Sequence, residues 1–516
     1  MSPASGERSE TGRSSILRSA VMSDTGILVL LALARILLHA FTDGRYGFHR
    51  DELATVDDAG HLAWGFVAYP PLTPFIARVS FELFGPSLAA LRLFGAVAQG
   101  AALVLTGWMA RELGGKRWAQ AIAGAAVAVA PVALSEGLLF QYITFDYLWW
   151  VAIAYLMIRL LRSEDPRWWL GIGAAVGLGM MTKYTMLFLV AAVAGAVLLT
   201  DVRRYLRSRW LWYGVALSLV VFLPNLIWQM QHQFISLDFL NDIHARDIRI
   251  GRTSGFLIEQ LLVPASPFTV PLWITGLYFY FFVPEGKRYR AMGWTFVLVL
   301  LLFFIAKGRS YYMGPAYPML FASGAVLWER RLSAQTGWAR FGRALTYAGL
   351  AAGAMLAVAF LVPLTPVNSG WWQIANHVNS DWREEVGWPE LVATVAHIRD
   401  SLPSEQRARL AVLAGNYGEA GAIDLYGSAY GLPKAISGVN SYWARGYGDP
   451  APEKLIVVGL SRSFVQRNFE SCELAGHNTN RFGVKNEESS DHPDIFVCGP
   501  PRRPWPEFWK RFRYYG

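Results

Sequence analysis

Long apolar segments separated by short polar gaps make up about the first 365 residues of the chain. Runs such as "GILVLLALARILLHAF" and "AGLAAGAMLAVAFLV" approach the length of about 20 apolar residues that a helix needs to cross a bilayer core. The pattern predicts a polytopic α-helical membrane protein with about eleven transmembrane helices. The predicted spans are residues 25–42, 87–111, 117–135, 145–162, 167–182, 184–200, 211–229, 266–284, 291–306, 312–328 and 344–363.

The distribution of charge supports the same class of protein. Only 16% of the residues are charged, whereas an average soluble domain has about 25%. The formal net charge is +9, but the arginines concentrate in short gaps such as "DVRRYLRSR" and "PEGKRYR", which is typical of cytoplasmic loops. The positive charge therefore indicates orientation in a cell membrane, and we expect no nucleic acid partner.

The amino end sets the predicted topology. Arg8, Arg13 and Arg18 precede the first apolar run, and no small-residue cleavage site follows it. We expect a retained helix whose amino end lies in the cytoplasm. Alternation from that end puts the arginine-rich gaps inside. The stretches that it puts outside are residues 43–86, "LSEGLLFQYITFD", "QHQFISLDFLNDIHARDIRIGRTSGFLIEQ" and "AKGRSYYMGPAYP".

The first outer stretch is too long for a bare connection. Its segments "DELATVDDAGHLAWG" and "PPLTPFIARVSFELFG" are short and amphipathic, which predicts two helices lying in the membrane interface. Pro70 and Pro71 separate them, and proline suits the start of the second helix.

The composition changes after Pro363, because no further run has membrane length. "RLAVLAGNYGEAGAIDLYG" and "KLIVVGLSRSFVQRNF" each predict a strand, a turn and a helix, and "DIFVCG" predicts a closing strand. We therefore predict a transmembrane domain over residues 1–365 and a small extracytoplasmic α/β domain over residues 366–516. Both cysteines, Cys472 and Cys498, lie in the second domain, where either a disulfide or two unpaired buried thiols is consistent with the sequence.

A glycine-rich stretch, "GNYGEAG", occupies residues 415–421 of this domain. It lacks the full G-x-G-x-x-G pattern of a dinucleotide-binding loop. We expect a structural turn there.

Carboxylates occur at two places on the predicted outer face. Asp51 and Glu52 begin the first amphipathic helix, where a solvated pair between Asp51 and Arg50 is the alternative to a chemical role. Asp146 lies where the chain re-enters the membrane, and it is either a helix N-cap or a functional acid.

Cations also occur on this face, where the positive-inside rule does not explain them. Lys183 follows "GLGMMT" at an outer turn, and snorkelling at a helix end is the alternative to a functional role. Lys307 and Arg309 stand together in "KGRSYY", which favours a bound anion. Carboxylates and cations on one face fit a lipid-linked phosphate donor and a hydroxyl acceptor.

The segments "RDELATVDDAGHLAWGFVAYPPLTPFIA", "TFDYLWW", "GLGMMTKYT" and "KGRSYYMGPAYPML" together resemble the glycosyltransferase C superfamily. The resemblance is to the bacterial relatives of protein O-mannosyltransferases and of the lipid A aminoarabinose transferase, and it covers about residues 1–365. It implies the fold of that superfamily (GT-C). It also implies an inverting transfer of a sugar from a polyprenyl-phosphate carrier to a hydroxyl of a protein, lipid or cell-envelope glycan, outside the membrane.

The resemblance implies roles for individual residues. Asp51 matches the general base of the family's acid pair, and Glu52 supports it by holding Arg50, positioning the acceptor or binding a metal. Arg309 is a further candidate for contact with the departing phosphate. The other matches are Tyr69-Pro70-Pro71 in place of His-Pro-Pro, Asp146 as the acid of the second outer loop, Lys183 as the lysine of the T-K turn, and Lys307, Tyr311 and Tyr312 as contacts of the carrier phosphate.

Some relatives use a divalent metal, so a metal cofactor is an open alternative. His61, His232 and His244 are the outer-face candidates, without a ligand spacing such as H-E-x-x-H.

The main rival function is a secondary transporter or flippase of lipid-linked glycans. Such proteins tend to show internal repeats and ionisable residues near the bilayer midplane, whereas the charges here lie at the outer rim. A lipid-linked glycan polymerase or ligase, and a membrane anchor for the α/β domain, are further alternatives.

Overall fold

A computed structural model describes residues 24–516 of the chain. Arg8, Arg13 and Arg18, with the predicted cytoplasmic amino end, lie outside the described residues. The helices are α1 (Asp24–Thr42), α2 (Arg50–Gly60), α3 (Leu72–Phe84), α4 (Leu88–Glu112), α5 (Arg117–Ala128), α6 (Pro131–Leu138), α7 (Tyr142–Ser163), α8 (Trp168–Met180), α9 (Met186–Leu199), α10 (Arg209–Gln231), α11 (Ile235–Arg249), α12 (Phe256–Glu259), α13 (Val270–Phe282), α14 (Arg290–Ile305), α15 (Pro318–Leu332), α16 (Gly337–Leu361), α17 (Gly370–Asn376), α18 (Trp388–Ser401), α19 (Ser404–Arg407), α20 (Tyr417–Tyr426), α21 (Asn440–Ala444), α22 (Arg462–Asn468), α23 (Glu487–Asp491) and α24 (Trp505–Arg511).

The predicted number of membrane spans is not matched by helices of full membrane length among the described residues. Six described helices are long and apolar enough to cross a membrane, or up to eight spans if each of two bent helix pairs counts as one. Helices α5 and α6 form one such pair, bent by 61° where Pro131 begins the second helix. Helices α8, α13 and α15 occupy predicted spans but have only 13, 13 and 15 residues. Eleven full-length spans are therefore not confirmed.

The first outer stretch forms the two helices expected from its amphipathic pattern, α2 and α3. The Glu52 carboxylate accepts a 2.8 Å hydrogen bond from the His49 backbone N–H, which closes the start of α2. Pro71 directly precedes α3, and the Leu72 N–H donates to the Met181 carbonyl at 3.0 Å. This bond ties α3 to the turn between α8 and α9, which contains Lys183.

The C-terminal part is built on a five-stranded sheet in the order β2-β1-β3-β5-β4. Strand β1 pairs in parallel with β2 and β3, and β5 pairs antiparallel with β3 and β4. The two predicted strand–turn–helix units and the closing strand are all present. A disulfide joins Cys472 to Cys498. The strands are β1 (Leu410–Ala414), β2 (Ala435–Ser437), β3 (Lys454–Val458), β4 (Glu473–His477) and β5 (Asp494–Cys498).

One apolar cluster joins the C-terminal sheet to the first outer stretch. It contains Phe48 and Leu53 around α2, Phe140 before α7, and Trp388 and Val412 of the C-terminal domain. All of these side chains are buried. The C-terminal domain is therefore packed onto α2 by a shared core and is not merely tethered beside it.

Candidate active site

Asp51 and Glu52 occupy different environments although they are neighbours in sequence. Successive residues of an α-helix point about 100° apart, so they face different surroundings. The Asp51 side chain is 40% exposed, whereas Glu52 is 0% exposed. Of the two, only Asp51 is accessible to a substrate.

Glu52 forms a buried ion pair that links three parts of the chain. Arg92 of α4 donates from Nε to Glu52 Oε1 at 2.8 Å and from Nη2 to Oε2 at 2.6 Å. The same guanidinium contacts Glu385 of the C-terminal domain at 3.2 Å, and burial raises the pKa of Glu385 to about 7 against the opposing effect of Arg92. The expectation that Glu52 holds Arg50 is wrong, because the partner of Glu52 is Arg92. This carboxylate fixes α2 in place.

Two further arginines connect α2 to the C-terminal domain. Arg50 pairs with Glu487, so the alternative of a solvated pair between Arg50 and Asp51 is also wrong. At the other end of the helix, Arg445 pairs with both Asp57 and Asp58. Burial raises the pKa of Asp58 to about 7, although Arg445 opposes the shift. The charges of α2 other than Asp51 are thus engaged in docking.

Asp51 is held by donors from two separate parts of the chain. The Tyr417 hydroxyl donates to Oδ1 at 2.8 Å, and Gln141 Nε2 donates to Oδ2 at 3.1 Å. His49 Nδ1 lies 3.9 Å from Oδ2. A carboxylate oxygen has two lone pairs, so each oxygen of Asp51 retains capacity for another hydrogen bond. The group is oriented and still able to accept a proton.

The membrane part contains a cavity of about 1140 Å³. Its walls come largely from apolar residues of α8, α9, α10 and α11. Tyr142, the sequence neighbour of Gln141, is part of the wall, whereas Asp51 and Asp146 are not. The ionisable side chains of the wall include Lys183, which contacts the rings of Tyr142 and Tyr312, and Arg309, which is paired with Asp247.

Lys183 faces this cavity as a buried cation. Its residue is 8% exposed, and its ammonium nitrogen lies 3.8 Å from the ring centroid of Tyr312 and 5.5 Å from that of Tyr142. No carboxylate of residues 24–516 comes within 4.0 Å of this nitrogen. Because the side chain is enclosed between two rings, snorkelling does not describe it. A buried ammonium in this setting favours an anionic ligand.

The other two predicted cations differ from each other. Arg309 forms a bidentate ion pair with Asp247 of α11, at 2.7 and 2.8 Å, and donates to the Tyr311 hydroxyl at 3.0 Å. Its charge is therefore compensated within the protein, which the sequence did not reveal. Lys307 is exposed, lines the same cavity, and has no carboxylate partner within 4.0 Å among the described residues. The free positive charge at the cavity belongs to Lys183 and Lys307.

Asp146 lies one turn inside α7 and does not cap it. Gln141 is the N-cap residue of that helix. The Asp146 carboxylate accepts hydrogen bonds from Trp150 Nε1 at 3.1 Å and from the Thr185 hydroxyl at 3.2 Å. Thr185 belongs to the turn that carries Lys183. Asp146 therefore supports that turn from behind the cavity wall.

Tyr69, Pro70 and Pro71 contribute indirectly. The Tyr69 hydroxyl donates to Asp58 at 2.7 Å, and its ring packs on Tyr142 with centroids 5.4 Å apart. Pro70 lines the cavity. The segment that replaces His-Pro-Pro thus shapes the wall beside Tyr142.

The candidate metal ligands do not converge. His244 lines the cavity, His232 stacks on Trp228 with centroids 4.0 Å apart, and His61 is bonded to the Asp57 carbonyl at 2.9 Å. In the described part of the chain, no group of three or more His, Cys, Asp or Glu side chains is placed to hold a metal ion.

The sequence missed several residues of this region. Arg92 interrupts the apolar run of α4, and an arginine inside a predicted span is a signal that favours a buried ion pair. Gln141 stood in an outer stretch but has no charge to draw attention. Tyr417 and Glu385 belong to the C-terminal domain, and no local pattern indicates what that domain contacts.

Comparisons with known proteins bear on this architecture. Residues 68–228 match the model of the dolichyl-phosphate-mannose-protein mannosyltransferase family. The lipid A galacturonosyltransferase RgtD of Rhizobium johnstonii is 30% identical over 261 residues, which cover 48% of this chain and 54% of RgtD. The chain thus spans about half the length of this curated relative.

Solved structures extend the likeness to nearly the whole chain. ArnT from Cupriavidus metallidurans bound to undecaprenyl phosphate matches with a TM-score of 0.58 and 16% identity, over 92% of this chain and 98% of ArnT. The chain has the fold of ArnT. This confirms the resemblance stated from the sequence. The mycobacterial arabinofuranosyltransferase AftD has a similar fold, with a TM-score of 0.52 and 15% identity, over 92% of this chain and 40% of AftD.

The likeness to these proteins fits the architecture. A multi-pass helical membrane part, two short helices after the first span and a small C-terminal sheet domain are all present. At 15–16% identity the solved structures support the fold alone. Which residues of this chain act on a substrate has to be argued from its own geometry.

Proposed function

We propose that the protein is an inverting glycosyltransferase that moves a sugar from a polyprenyl-phosphate carrier to an acceptor hydroxyl on the outer side of the membrane. The observation that carries this proposal is the large apolar cavity that Lys183 and Tyr142 line, together with the accessible Asp51, which is bonded to Gln141, the sequence neighbour of Tyr142. The relatives support it: RgtD is named a galacturonosyltransferase, and ArnT has been solved with undecaprenyl phosphate.

The cavity suits a lipid-linked donor. Its apolar walls fit a prenyl chain, since burying apolar surface contributes about 25 cal/mol per Å². The phosphate would lie at the polar end, where Lys183 and Lys307 supply charge-assisted hydrogen bonds. Tyr312, stacked under Lys183, holds that ammonium in place. Arg309 keeps α11 against this end through Asp247.

The reaction is a single displacement. Asp51 accepts the proton of the acceptor hydroxyl, and the acceptor oxygen attacks the anomeric carbon of the donor. The bond between that carbon and the phosphate oxygen breaks, and polyprenyl phosphate leaves with the bonding electrons. Negative charge grows on the phosphate during this step, so Lys183 and Lys307 stabilise the transition state more than the ground state. The product has the opposite anomeric configuration.

Replacing Lys183 with alanine should weaken donor binding first. A hydrogen bond to a charged group is worth about 1.5–3 kcal/mol, so we expect the Kd for undecaprenyl phosphate to rise by roughly 10- to 100-fold. Lys307→Ala should have a smaller effect, because Lys307 is exposed and its charge is screened by solvent. Lys287→Ala, in a predicted cytoplasmic gap, is the control and should bind normally. Unchanged binding in Lys183→Ala would remove Lys183 from the phosphate site.

The outer location can be tested with single cysteines. Ser404 is exposed in the C-terminal domain, and Ser333 is exposed in a predicted cytoplasmic gap. An impermeant thiol reagent should label Ser404→Cys in intact protoplasts and Ser333→Cys only after lysis. The opposite pattern would place the C-terminal domain and Asp51 in the cytoplasm, since the two are in direct contact.

A further inference from the structure

The glycine-rich stretch at residues 415–421 has a function that its sequence did not indicate. Helix α20 begins inside it and packs against α2 at the distance of backbone contact. A Cβ at Gly421 would lie 2.7 Å from the backbone of Leu53, and a Cβ at Gly418 would lie 2.9 Å from Cβ of Arg50. Only glycine permits this approach. The stretch is a docking surface for the helix that carries Asp51, which agrees with the expected structural role.

Tyr417 stands at the first position of α20, between this docking surface and Asp51. Its hydroxyl donates to Asp51 Oδ1 at 2.8 Å. Its ring lies 5.0 Å from the guanidinium carbon of Arg50, which is itself paired with Glu487. Burial and the charge of Asp51 raise the pKa of Tyr417, so the hydroxyl keeps its proton and remains a donor.

We propose that the C-terminal domain completes the active site, with Tyr417 as a positioning residue that orients Asp51 toward the acceptor. This inference rests on the proposed function, in which Asp51 is the base. Without Tyr417, the Gln141 amide would be the remaining hydrogen-bond donor to the Asp51 carboxylate among residues 24–516, at 3.1 Å. Two donors, one to each carboxylate oxygen, restrict rotation of the carboxylate, and orientation of a reacting group is a large component of catalysis.

Removal of the Tyr417 hydroxyl should affect the chemical step, because the base is then less well oriented. Donor binding should be unaffected, because Lys183 and Lys307 lie on other elements. A loss in the chemical step without a loss of donor binding would distinguish a positioning role of Tyr417 from a merely structural one.

The test is steady-state kinetics of the full-length Tyr417→Phe protein with an undecaprenyl-phosphate sugar that the wild type accepts. We expect kcat to fall by roughly 10- to 100-fold with KM for the donor unchanged. The control is Tyr426→Phe, which removes a hydroxyl from the same helix at a ring that contacts Phe48 and not Asp51. It should retain wild-type kcat and KM.

A second variant covers the docking surface. Gly421→Ala should push α2 away from α20 and lower kcat, again without raising KM for the donor.

Wild-type kinetics in Tyr417→Phe, or equal losses in Tyr417→Phe and Tyr426→Phe, would overturn the inference. Asp51→Asn, measured in the same assay, distinguishes failure of the inference about Tyr417 from failure of the proposed function. If it is inactive while Tyr417→Phe is normal, only the inference about Tyr417 fails, whereas an active Asp51→Asn overturns the assignment of the base and the inference with it.

Discussion

Asp51→Asn should abolish sugar transfer while leaving the protein folded and able to bind undecaprenyl phosphate. The amide cannot accept the proton of the acceptor hydroxyl, and a positioned base contributes about 10²–10⁴-fold to the rate. We expect turnover to fall by at least that factor. Binding should persist, because the cations assigned to the phosphate lie on the turn after α8 and in the segment after α14.

The measurement is turnover and undecaprenyl phosphate binding on the same preparation. Lys183→Ala is the matched comparison, since it should show the opposite order of losses. Near-normal turnover of Asp51→Asn, with Glu52→Gln inactive but folded, would mean that the two roles are reversed. Full activity in all of these variants would show that neither Asp51 nor Glu52 takes part in the chemical step.

Arg92→Met should have the largest effect on stability. It leaves Glu52 and Glu385, two buried carboxylates, without the cation between them. Removing one partner of a buried ion pair costs about 3–5 kcal/mol of unfolding free energy. Because this pair joins α2, α4 and the C-terminal domain, we expect a lower unfolding midpoint and faster proteolysis of the C-terminal domain.

The control is Arg78→Met, which breaks an exposed ion pair with Glu82 on α3. Exposed pairs contribute about 0–1 kcal/mol, so its unfolding midpoint should stay close to that of the wild type. Adding Glu52→Gln and Glu385→Gln to Arg92→Met should recover part of the lost stability. Equal midpoints for Arg92→Met and Arg78→Met would show that the ion pair does not hold the C-terminal domain.

The sequence predicted the helices and strands better than the way they pack against one another. Hydrophobic runs located the helices of the membrane part, and alternation of strand and helix patterns located the C-terminal sheet. The eleven predicted spans were not confirmed, because an apolar run does not show that α5 and α6 bend at Pro131 or that α8 ends at Met180. Those features depend on packing between helices and on single residues inside a run.

The candidate site shows the same limit: the sequence indicated some of its residues but not their contacts. Asp51 and Lys183 stand out in the sequence because they are charged residues of the predicted outer face, where the positive-inside rule does not explain a cation. The partners that decide their roles do not stand out. Glu52 differs in role from its neighbour Asp51 because the helix turns it to the other side, where it pairs with Arg92, 40 residues later in the sequence. Tyr417 reaches Asp51 across 366 residues, and Asp247 neutralises Arg309 across 62. Such contacts are properties of the folded chain, and no local pattern encodes them.

A structure of the full-length protein with undecaprenyl phosphate tests the central claim most directly. The proposed function predicts the prenyl chain inside the cavity lined by α8, α9, α10 and α11, with the phosphate within hydrogen-bonding distance of Lys183. It also predicts open space between that phosphate and Asp51, sufficient for a sugar. A phosphate bound away from Lys183, or a prenyl chain outside the cavity, would contradict the account.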